Sequence, residues 1–189
     1  MTSNKQSVGM FGGGGVGKTA ISLQFTKGEF TEGYIPTIED EFVKTVEVDG
    51  KQIELEIIDT AGQDDFAEMR HSYMQRVNGF IFVFSIIDPN SINELDKIYT
   101  DAVHARSSSP VNCVIAANKS DMRNGESVPE SKLKELETKY KCKVLETSAK
   151  TAKNINELFI EIVRILLTSN DKKPAPKNND ETGGCCLIQ

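Results

Sequence analysis

The run from Gly12 to Thr19, GGGGVGKT, constrains the fold of this chain more than any other stretch. It fits the pattern G-x-x-x-x-G-K-[ST], in which backbone N–H groups of a glycine-rich loop converge on phosphate oxygens. Glycine suits such a loop because side chains would block the phosphates and because some of its turns need positive φ. Lys18 adds a compact charge for the outer phosphates, and Thr19 offers a hydroxyl to Mg²⁺. The run predicts a phosphate site between a strand at 7–11 and a helix that continues to residue 26.

A glycine-rich turn or flexible linker is the alternative interpretation of this run. The Lys-Thr ending and the apolar segments on both sides favour the phosphate site. The pattern specifies neither the nucleotide nor the reaction, so both have to be inferred from motifs elsewhere in the chain.

Composition narrows the class of protein. The chain has 189 residues, 38% of them hydrophobic and 26% charged, which is typical of one globular domain. A net charge of −6 argues against binding to a nucleic acid polymer, which needs a basic face. Four cysteines form no disulfide framework and suit a reducing compartment. We expect no signal segment and no membrane span, since the longest apolar run, 80–87, is too short.

Strands and helices alternate along the chain, which predicts the α/β class with a mostly parallel sheet. Asp49-Gly50 is a strong turn signal between two alternating stretches, so an antiparallel hairpin is expected there. Further strands are predicted from apolar runs at 81–87, 111–117 and 144–145. Helices are predicted after two capping boxes and at the end of the chain, from Ser91–Glu94, from Ser127–Glu130 and from Asn154.

The apolar pattern stops at about Thr168, where Lys, Pro, Asn, Asp and Gly take over. This change predicts a domain over residues 1–167 and a flexible tail over residues 168–189.

Three polar clusters follow predicted strands: Asp59–Gln63, Asn118–Asp121 and Thr147–Lys150. Any one of them could simply open a turn. In open α/β sheets, however, ligands bind beyond the carboxyl ends of the strands, where these clusters and the glycine loop would meet. Their joint occurrence predicts one ligand site.

The cluster at 118–121, NKSD, indicates which base is bound. The Asp121 carboxylate can accept hydrogen bonds from both N1–H and the 2-amine of guanine, whereas adenine would leave it unpaired. Asn118 can bond N7, the Lys119 stem can pack on the ring, and the Ala149 N–H can meet O6.

The cluster at 59–63 indicates the reaction. Asp59, at the end of an apolar strand, is placed to hold Mg²⁺ directly or through water. Gly62 lacks a side chain, so its N–H can approach the terminal phosphate. Gln63 can orient a water for in-line attack because its amide both donates and accepts. His71 is interpreted as a surface residue.

As an ordered set, GGGGVGKT (12–19), YIPTIED (34–40), DTAGQ (59–63), NKSD (118–121) and ETSAK (146–150) make the chain similar to the Ras-family small GTPases, closest to Ras. The resemblance covers residues 7–168 and the tail. It implies a P-loop NTPase fold: a six-stranded, mostly parallel sheet with one antiparallel edge strand and helices on both faces. It also implies a signalling switch that binds GTP or GDP with Mg²⁺ and hydrolyses GTP slowly. The implied partners are an exchange factor, a GTPase-activating protein and effector kinases or lipid kinases with Ras-binding domains.

The resemblance assigns the site residues. Catalysis falls to Lys18, Gly62 and Gln63, and the metal to Thr19, Thr37 and Asp59. Nucleotide binding falls to Gly14, Gly15, Val16, Gly17, Lys18, Thr19, Ala20, Phe30, Tyr34, Pro36, Thr37, Gly62, Asn118, Lys119, Asp121, Ser148, Ala149 and Lys150. Effectors would bind switch loops 30–40 and 60–76, above all Tyr34, Ile35, Pro36, Thr37, Ile38, Glu39 and Asp40.

Departures from the Ras pattern affect partners more than chemistry. Thr19 replaces the usual Ser and keeps the hydroxyl, and Gly9 interrupts a strand that is usually solid Val, Ile or Leu. Ile35 replaces an Asp, and Asp64-Asp65-Phe66 replaces Glu-Glu-Tyr, which leaves effector and regulator choice open.

The tail ends CCLIQ, in which Cys186 fits a C-a-a-X prenylation signal that favours farnesyl. One lipid holds a membrane only marginally, and the lysines of the tail are balanced by acidic residues. We therefore expect palmitoylation of Cys185 and residence at the inner leaflet, on the cytoplasmic face of the plasma membrane.

Two other classes of protein share a phosphate loop of this kind. A P-loop kinase would need an arginine-rich lid, which the sequence lacks, and would not need NKSD. A module that binds GTP without turnover is disfavoured by the presence of Gly14, Gly15 and Gln63.

Overall fold

The computed structural model describes residues 5–33, 39–62, 67–107 and 109–171. Within these ranges the chain forms a six-stranded sheet in the order β2-β3-β1-β4-β5-β6. β2 runs antiparallel to β3 and every other neighbouring pair is parallel, which confirms the predicted sheet. The strands are β1 (Lys5–Phe11), β2 (Glu39–Val48), β3 (Lys51–Thr60), β4 (Gly79–Ser85), β5 (Cys113–Asn118) and β6 (Val144–Glu146).

Helices cover both faces of the sheet, as predicted. They are α1 (Lys18–Lys27), α2 (Ala67–Arg76), α3 (Ser91–Arg106), α4 (Glu130–Tyr140) and α5 (Ile155–Asp171). Alternation along β4 explains the two layers, because successive side chains of a strand point to opposite faces. Ile81 and Val83 join the core with α1 and α5, while Phe80, Phe82 and Phe84 join the core with α2, α3 and α4.

The predicted hairpin is confirmed. Val48 pairs with Lys51, so the turn has two central residues, Asp49 and Gly50. Both have positive φ, 50° and 77°, which matches the twist of the flanking strands. The Asp49 carboxylate also accepts two hydrogen bonds from Arg164, which joins the turn to α5.

β1 is continuous through Gly9, which pairs with Ile58 of β3 and Phe80 of β4, and the ring of Phe11 occupies the space beside it. A Cβ built on Gly9 would lie 2.6 Å from Phe11 Cζ. The Phe11 ring packs in turn on Phe80 and Phe82, with centroid distances of 5.5 and 6.1 Å. The absence of a side chain at position 9 therefore leaves space for an aromatic cluster on the α3 side of the sheet.

Both predicted capping boxes are wrong, although helices begin at or near them. The hydroxyl of Ser91 lies 3.2 Å from the Ser85 carbonyl oxygen and 2.5 Å from that of Asp88. The hydroxyl of Ser127 interacts with Asn124, and α4 begins at Glu130. Neither serine caps a helix with its side chain, since a nearby turn or strand end uses the hydroxyl instead.

Two predicted boundaries also shift. β4 ends at Ser85, one residue before Ile86, whose carbonyl oxygen accepts from the Val128 N–H outside the sheet. At the other end, α5 continues to Asp171, so residues 168–171, predicted to be tail, are helical. Residues 172–189 lie outside the described ranges. Among the described helices, none has the length and apolar character needed to cross a membrane.

Candidate nucleotide-binding site

A cleft of about 450 Å³ opens at the carboxyl ends of the parallel strands. Its volume lies within the range of small-molecule sites. The glycine loop, the start of α1, Phe30 to Gly33, Thr60, Gly62 and Lys119 line it. The predicted convergence of the glycine loop with two of the other strand-end clusters is therefore present in the fold.

Backbone conformation requires glycines in the loop, and close approach to the loop requires a glycine at position 62. Gly15 and Gly17 have φ of 71° and 100°, in the left-handed region that favours glycine. A Cβ on Gly62 would lie 2.5 Å from the Gly13 carbonyl oxygen and 2.6 Å from Lys18 Nζ. Gly62 therefore packs directly against the loop that is predicted to hold the phosphates.

Lys18 is buried beneath the loop. Its Nζ donates hydrogen bonds to the carbonyl oxygens of Gly12 and Gly13, at 3.0 and 2.9 Å. Burial lowers the pKa of Lys18 to about 8, against the opposing influence of the Asp59 carboxylate. Among the described residues the hydrogen-bond acceptors of this buried ammonium are neutral carbonyls, so it is well suited to receive an anionic phosphate oxygen.

Asp59 and Thr19 form the candidate metal site. Thr19 Oγ1 donates a hydrogen bond to Asp59 Oδ2 at 2.5 Å. The Asp59 side chain is fully buried, and its burial raises the pKa of the carboxyl to about 6. Asp59 Oδ1 is buried without a hydrogen-bond partner among the described residues. An orphaned carboxylate oxygen beside a hydroxyl fits a hard, oxygen-seeking cation such as Mg²⁺.

Asn118 and Lys119 hold the glycine loop in place. Asn118 Nδ2 donates to the Val16 carbonyl oxygen at 2.9 Å, and its Oδ1 accepts from Thr147 Oγ1 at 3.3 Å. Lys119 Nζ donates to the Gly15 carbonyl oxygen at 2.7 Å. These contacts, which the sequence did not predict, connect the ends of β5 and β6 to the phosphate loop.

Asp121 is oriented by Ser148. Ser148 Oγ donates to Asp121 Oδ1 at 2.6 Å, while Ser148 Oγ accepts from the Thr151 N–H. Ser148 and Ala149 are both buried. The carboxylate proposed to read guanine is thus oriented by the ETSAK cluster, through a contact that the sequence did not predict.

Lys150 adds a contact that the sequence did not predict. Its Nζ lies 2.8 Å from Oε1 of Glu32, which lines the cleft. Both side chains are exposed, so the pair is weak. It joins the base side of the cleft to the segment that leads into residue 34.

The remaining predicted residues are placed as follows. Phe30 lines the cleft and is 37% exposed. Glu39 and Asp40 are the first residues of β2. His71 is exposed and lies 3.2 Å from Gln75, as expected of a surface residue. Several predicted residues lie outside the described ranges: Tyr34, Ile35, Pro36, Thr37, Ile38, Gln63, Cys185 and Cys186.

The comparison with a protein-family model identifies the family. Residues 8–168 match the model of the Ras family. This match covers the whole described sheet except the first residues of β1, and it includes all four motifs that line or support the cleft.

Known proteins similar to the chain lead to the same family. It is 36% identical over 177 residues to "Ras-like protein RAS2" of Hydra vulgaris, covering 94% of this chain and 92% of the relative. It is 37% identical over 182 residues to "Ras-like protein rasB" of Dictyostelium discoideum, covering 96% and 92%. It is 37% identical over 184 residues to "Ras-related protein R-Ras" of Mus musculus, covering 94% and 84%.

The fold, the residues of the cleft and the similar proteins all indicate the same family. The family binds GTP and GDP, generally with Mg²⁺, and hydrolyses GTP. The chain therefore belongs to the Ras family and is a small GTPase, a GTP-binding switch in signal transduction.

Proposed function

We propose that this GTPase exposes two nucleotide-dependent loops, 30–40 and 60–76, to effectors and hydrolyses GTP slowly until a GTPase-activating protein assists it. The observation that carries the proposal is the contact between Gly62 and the phosphate loop. Gly62 sits against the Gly13 carbonyl and Lys18 Nζ, where a terminal phosphate drawing on Lys18 would compete for space. Gain or loss of that phosphate would therefore displace the segment that begins at Gly62.

A second contact supports coupling between the two loops. The hydroxyl of Tyr73, on α2, donates a hydrogen bond to the carboxylate of Glu39, at the start of β2. A shift of the 60–76 segment would thus be transmitted to the 30–40 segment. An effector that touches both loops would read the nucleotide state from either of them.

Guanine selectivity is assigned to Asp121. Ser148 Oγ donates to Asp121 Oδ1 at 2.6 Å and so helps to orient the carboxylate. Two adjacent donors of guanine would satisfy the carboxylate, whereas adenine would leave it desolvated and unpaired. We expect GDP to bind at least about a thousandfold more tightly than ADP on this ground.

In the hydrolysis step we propose that Gln63 orients the attacking water and that Lys18 neutralises negative charge on the outer phosphates. Thr19, Asp59 and Thr37 would hold Mg²⁺, which neutralises charge on the phosphates when bound. The glycine loop contains no arginine, so an activating protein would supply a transition-state cation in trans. Without that cation, hydrolysis of GTP by the protein alone would be slow.

The family supports the proposed partners, and the C-terminal residues CCLIQ support the proposed location. We propose an exchange factor, a GTPase-activating protein and effector kinases or lipid kinases with Ras-binding domains. We further propose farnesylation of Cys186 and palmitoylation of Cys185, which together would hold the protein at the cytoplasmic face of the plasma membrane. A Cys185→Ser protein should leave the membrane fraction, and its persistent residence there would contradict the second lipid.

Single-turnover hydrolysis of bound GTP, with and without an activating protein, tests the proposal. Gln63→Leu should slow the stimulated rate by a factor of a hundred or more, on the order expected when a water-orienting group is lost. Gln52→Leu, at an exposed position on β3 outside both loops, is the matched control and should hydrolyse at the wild-type rate. An unchanged stimulated rate in Gln63→Leu would refute the assigned role, and phosphate transfer to a small acceptor would indicate a kinase.

A further inference from the structure

Two cysteines lie close together, Cys113 at the start of β5 and Cys142 in the turn that leads into β6. The register pairs Ile115 with Val144, so two residues earlier Cys113 comes opposite Cys142. Residues two apart on a strand share a face. The side chains of Cys113 and Ile115 belong to the core on the α3–α4 side, and those of Cys142 and Val144 pack against it. Neighbouring strands are about 4.8 Å apart, which is within the Cα separation that disulfides span. Both cysteines are free thiols in this structure.

The two thiols differ in exposure. Cys113 is 4% exposed, inside the sheet, whereas Cys142 is half-buried in the turn that leads into β6. A hydrogen bond with Cys142 and burial both raise the pKa of the Cys113 thiol. Cys142 is therefore the member of the pair that a dissolved oxidant meets first, and Cys113 is the buried partner behind it.

We propose that Cys113 and Cys142 form a reversible intramolecular disulfide when the protein meets a peroxide. The Cys142 sulfur attacks a peroxide oxygen, an S–O bond forms, and the O–O bond breaks with release of water. The Cys113 sulfur then attacks the resulting sulfenic acid, the S–S bond forms, and the S–O bond breaks. The leaving hydroxide takes the Cys113 proton as water, so two thiols lose two electrons and the peroxide becomes two waters.

The disulfide would connect the edge strand β6 covalently to β5. β6 has only three residues and leads directly to Thr147 and Ser148, which bond Asn118 and Asp121. A short edge strand opens locally with little cost, and a covalent link at its start restricts that opening. We expect slower amide hydrogen exchange over residues 144–150 in the oxidised protein.

The experiment uses the full chain with Cys185→Ser and Cys186→Ser, so that Cys113 and Cys142 are the remaining cysteines. Hydrogen peroxide should remove two hydrogens from the mass of the monomer and make both thiols inert to an alkylating reagent. Dithiothreitol should restore both thiols. Amide exchange of residues 144–150 should slow several-fold on oxidation and recover on reduction.

Two further variants separate the disulfide from simple damage. Cys113→Ser should accumulate oxygen on Cys142 instead of losing hydrogens, and Cys142→Ser should remain unoxidised, since its one core thiol is buried. Circular dichroism on each variant verifies the fold. Alkylation of both thiols after peroxide, oxygen addition at Cys142 in the protein that keeps both cysteines, or a crosslink between two chains would each overturn the proposal.

Discussion

The backbone of Gly12 packs directly on the carbonyl oxygen of Val83, so that a Cβ on Gly12 would overlap this oxygen. Neither atom is part of a flexible side chain, so the strand or the loop would have to move. We expect Gly12→Ala to lower the free energy of unfolding by about 1–3 kcal/mol, as overpacking in a core does. Urea unfolding of the GDP-bound protein measures the change.

Gly13→Ala is the matched control for that substitution. A Cβ on Gly13 would meet only the Glu94 carboxylate, the mobile end of an exposed side chain that can rotate away. The cost should stay within about 0.5 kcal/mol, as at ordinary surface sites. Equal destabilisation by the two substitutions would show that the Gly12–Val83 contact has no special role.

Gly9 and Phe11 should be coupled energetically, because the Phe11 ring fills the space that a side chain at position 9 would need. Gly9→Val alone should destabilise the protein by about 1–3 kcal/mol through overpacking. The double change Gly9→Val with Phe11→Val should cost less than the sum of the two single changes, by 0.5 kcal/mol or more. Additive effects in a double-mutant cycle would contradict the proposed contact.

The pH dependence of stability should report Asp59. In the folded, metal-free protein, burial raises the pKa of the Asp59 carboxyl to about 6, above its usual value of 3.8. The folded state then binds the proton more tightly than the unfolded state. The stabilising contribution of this carboxyl is complete below about pH 4 and is lost as the pH rises through 6, by roughly 3 kcal/mol.

Denaturant unfolding in magnesium-free buffer across this pH range tests the prediction. Asp59→Asn should remove that part of the decline, because an amide does not titrate. Mg²⁺ requires the ionised carboxylate, so the apparent affinity for Mg²⁺ should rise with pH through the same window. Identical pH profiles for the wild-type and Asp59→Asn proteins would refute the assigned pKa.

The features that the sequence predicted correctly are each specified by residues close together along the chain. Asp49-Gly50 specifies a tight turn by backbone conformation alone, and the apolar runs of β4 and β5 specify strands buried on both faces. The phosphate loop was also identified from its residue types. Each of these features depends on neighbouring residues, which periodicity and turn chemistry describe directly.

The features that the sequence missed depend on residues far apart along the chain. Asn118 donates to a carbonyl 102 residues away, and Ser91 bonds β4 instead of capping its own helix. The continuity of β1 at Gly9 depends on its pairing with Ile58 of β3 and Phe80 of β4. Such contacts exist only once the sheet is assembled, so motif spacing placed Asn118 at the site but did not predict its bond to the loop.

Asn118 supplies the last prediction. Its side chain is 2% exposed and donates to the Val16 carbonyl oxygen at 2.9 Å, so Asn118→Ala would leave that buried carbonyl unpaired. Loss of one buried hydrogen bond costs about 1–3 kcal/mol, and we expect GDP to dissociate roughly 5- to 150-fold faster. Stopped-flow displacement of a fluorescent GDP analogue measures the rate. Asn93→Ala, at an exposed position on α3, should leave it unchanged, and a wild-type rate in Asn118→Ala would show that this bond does not hold the loop.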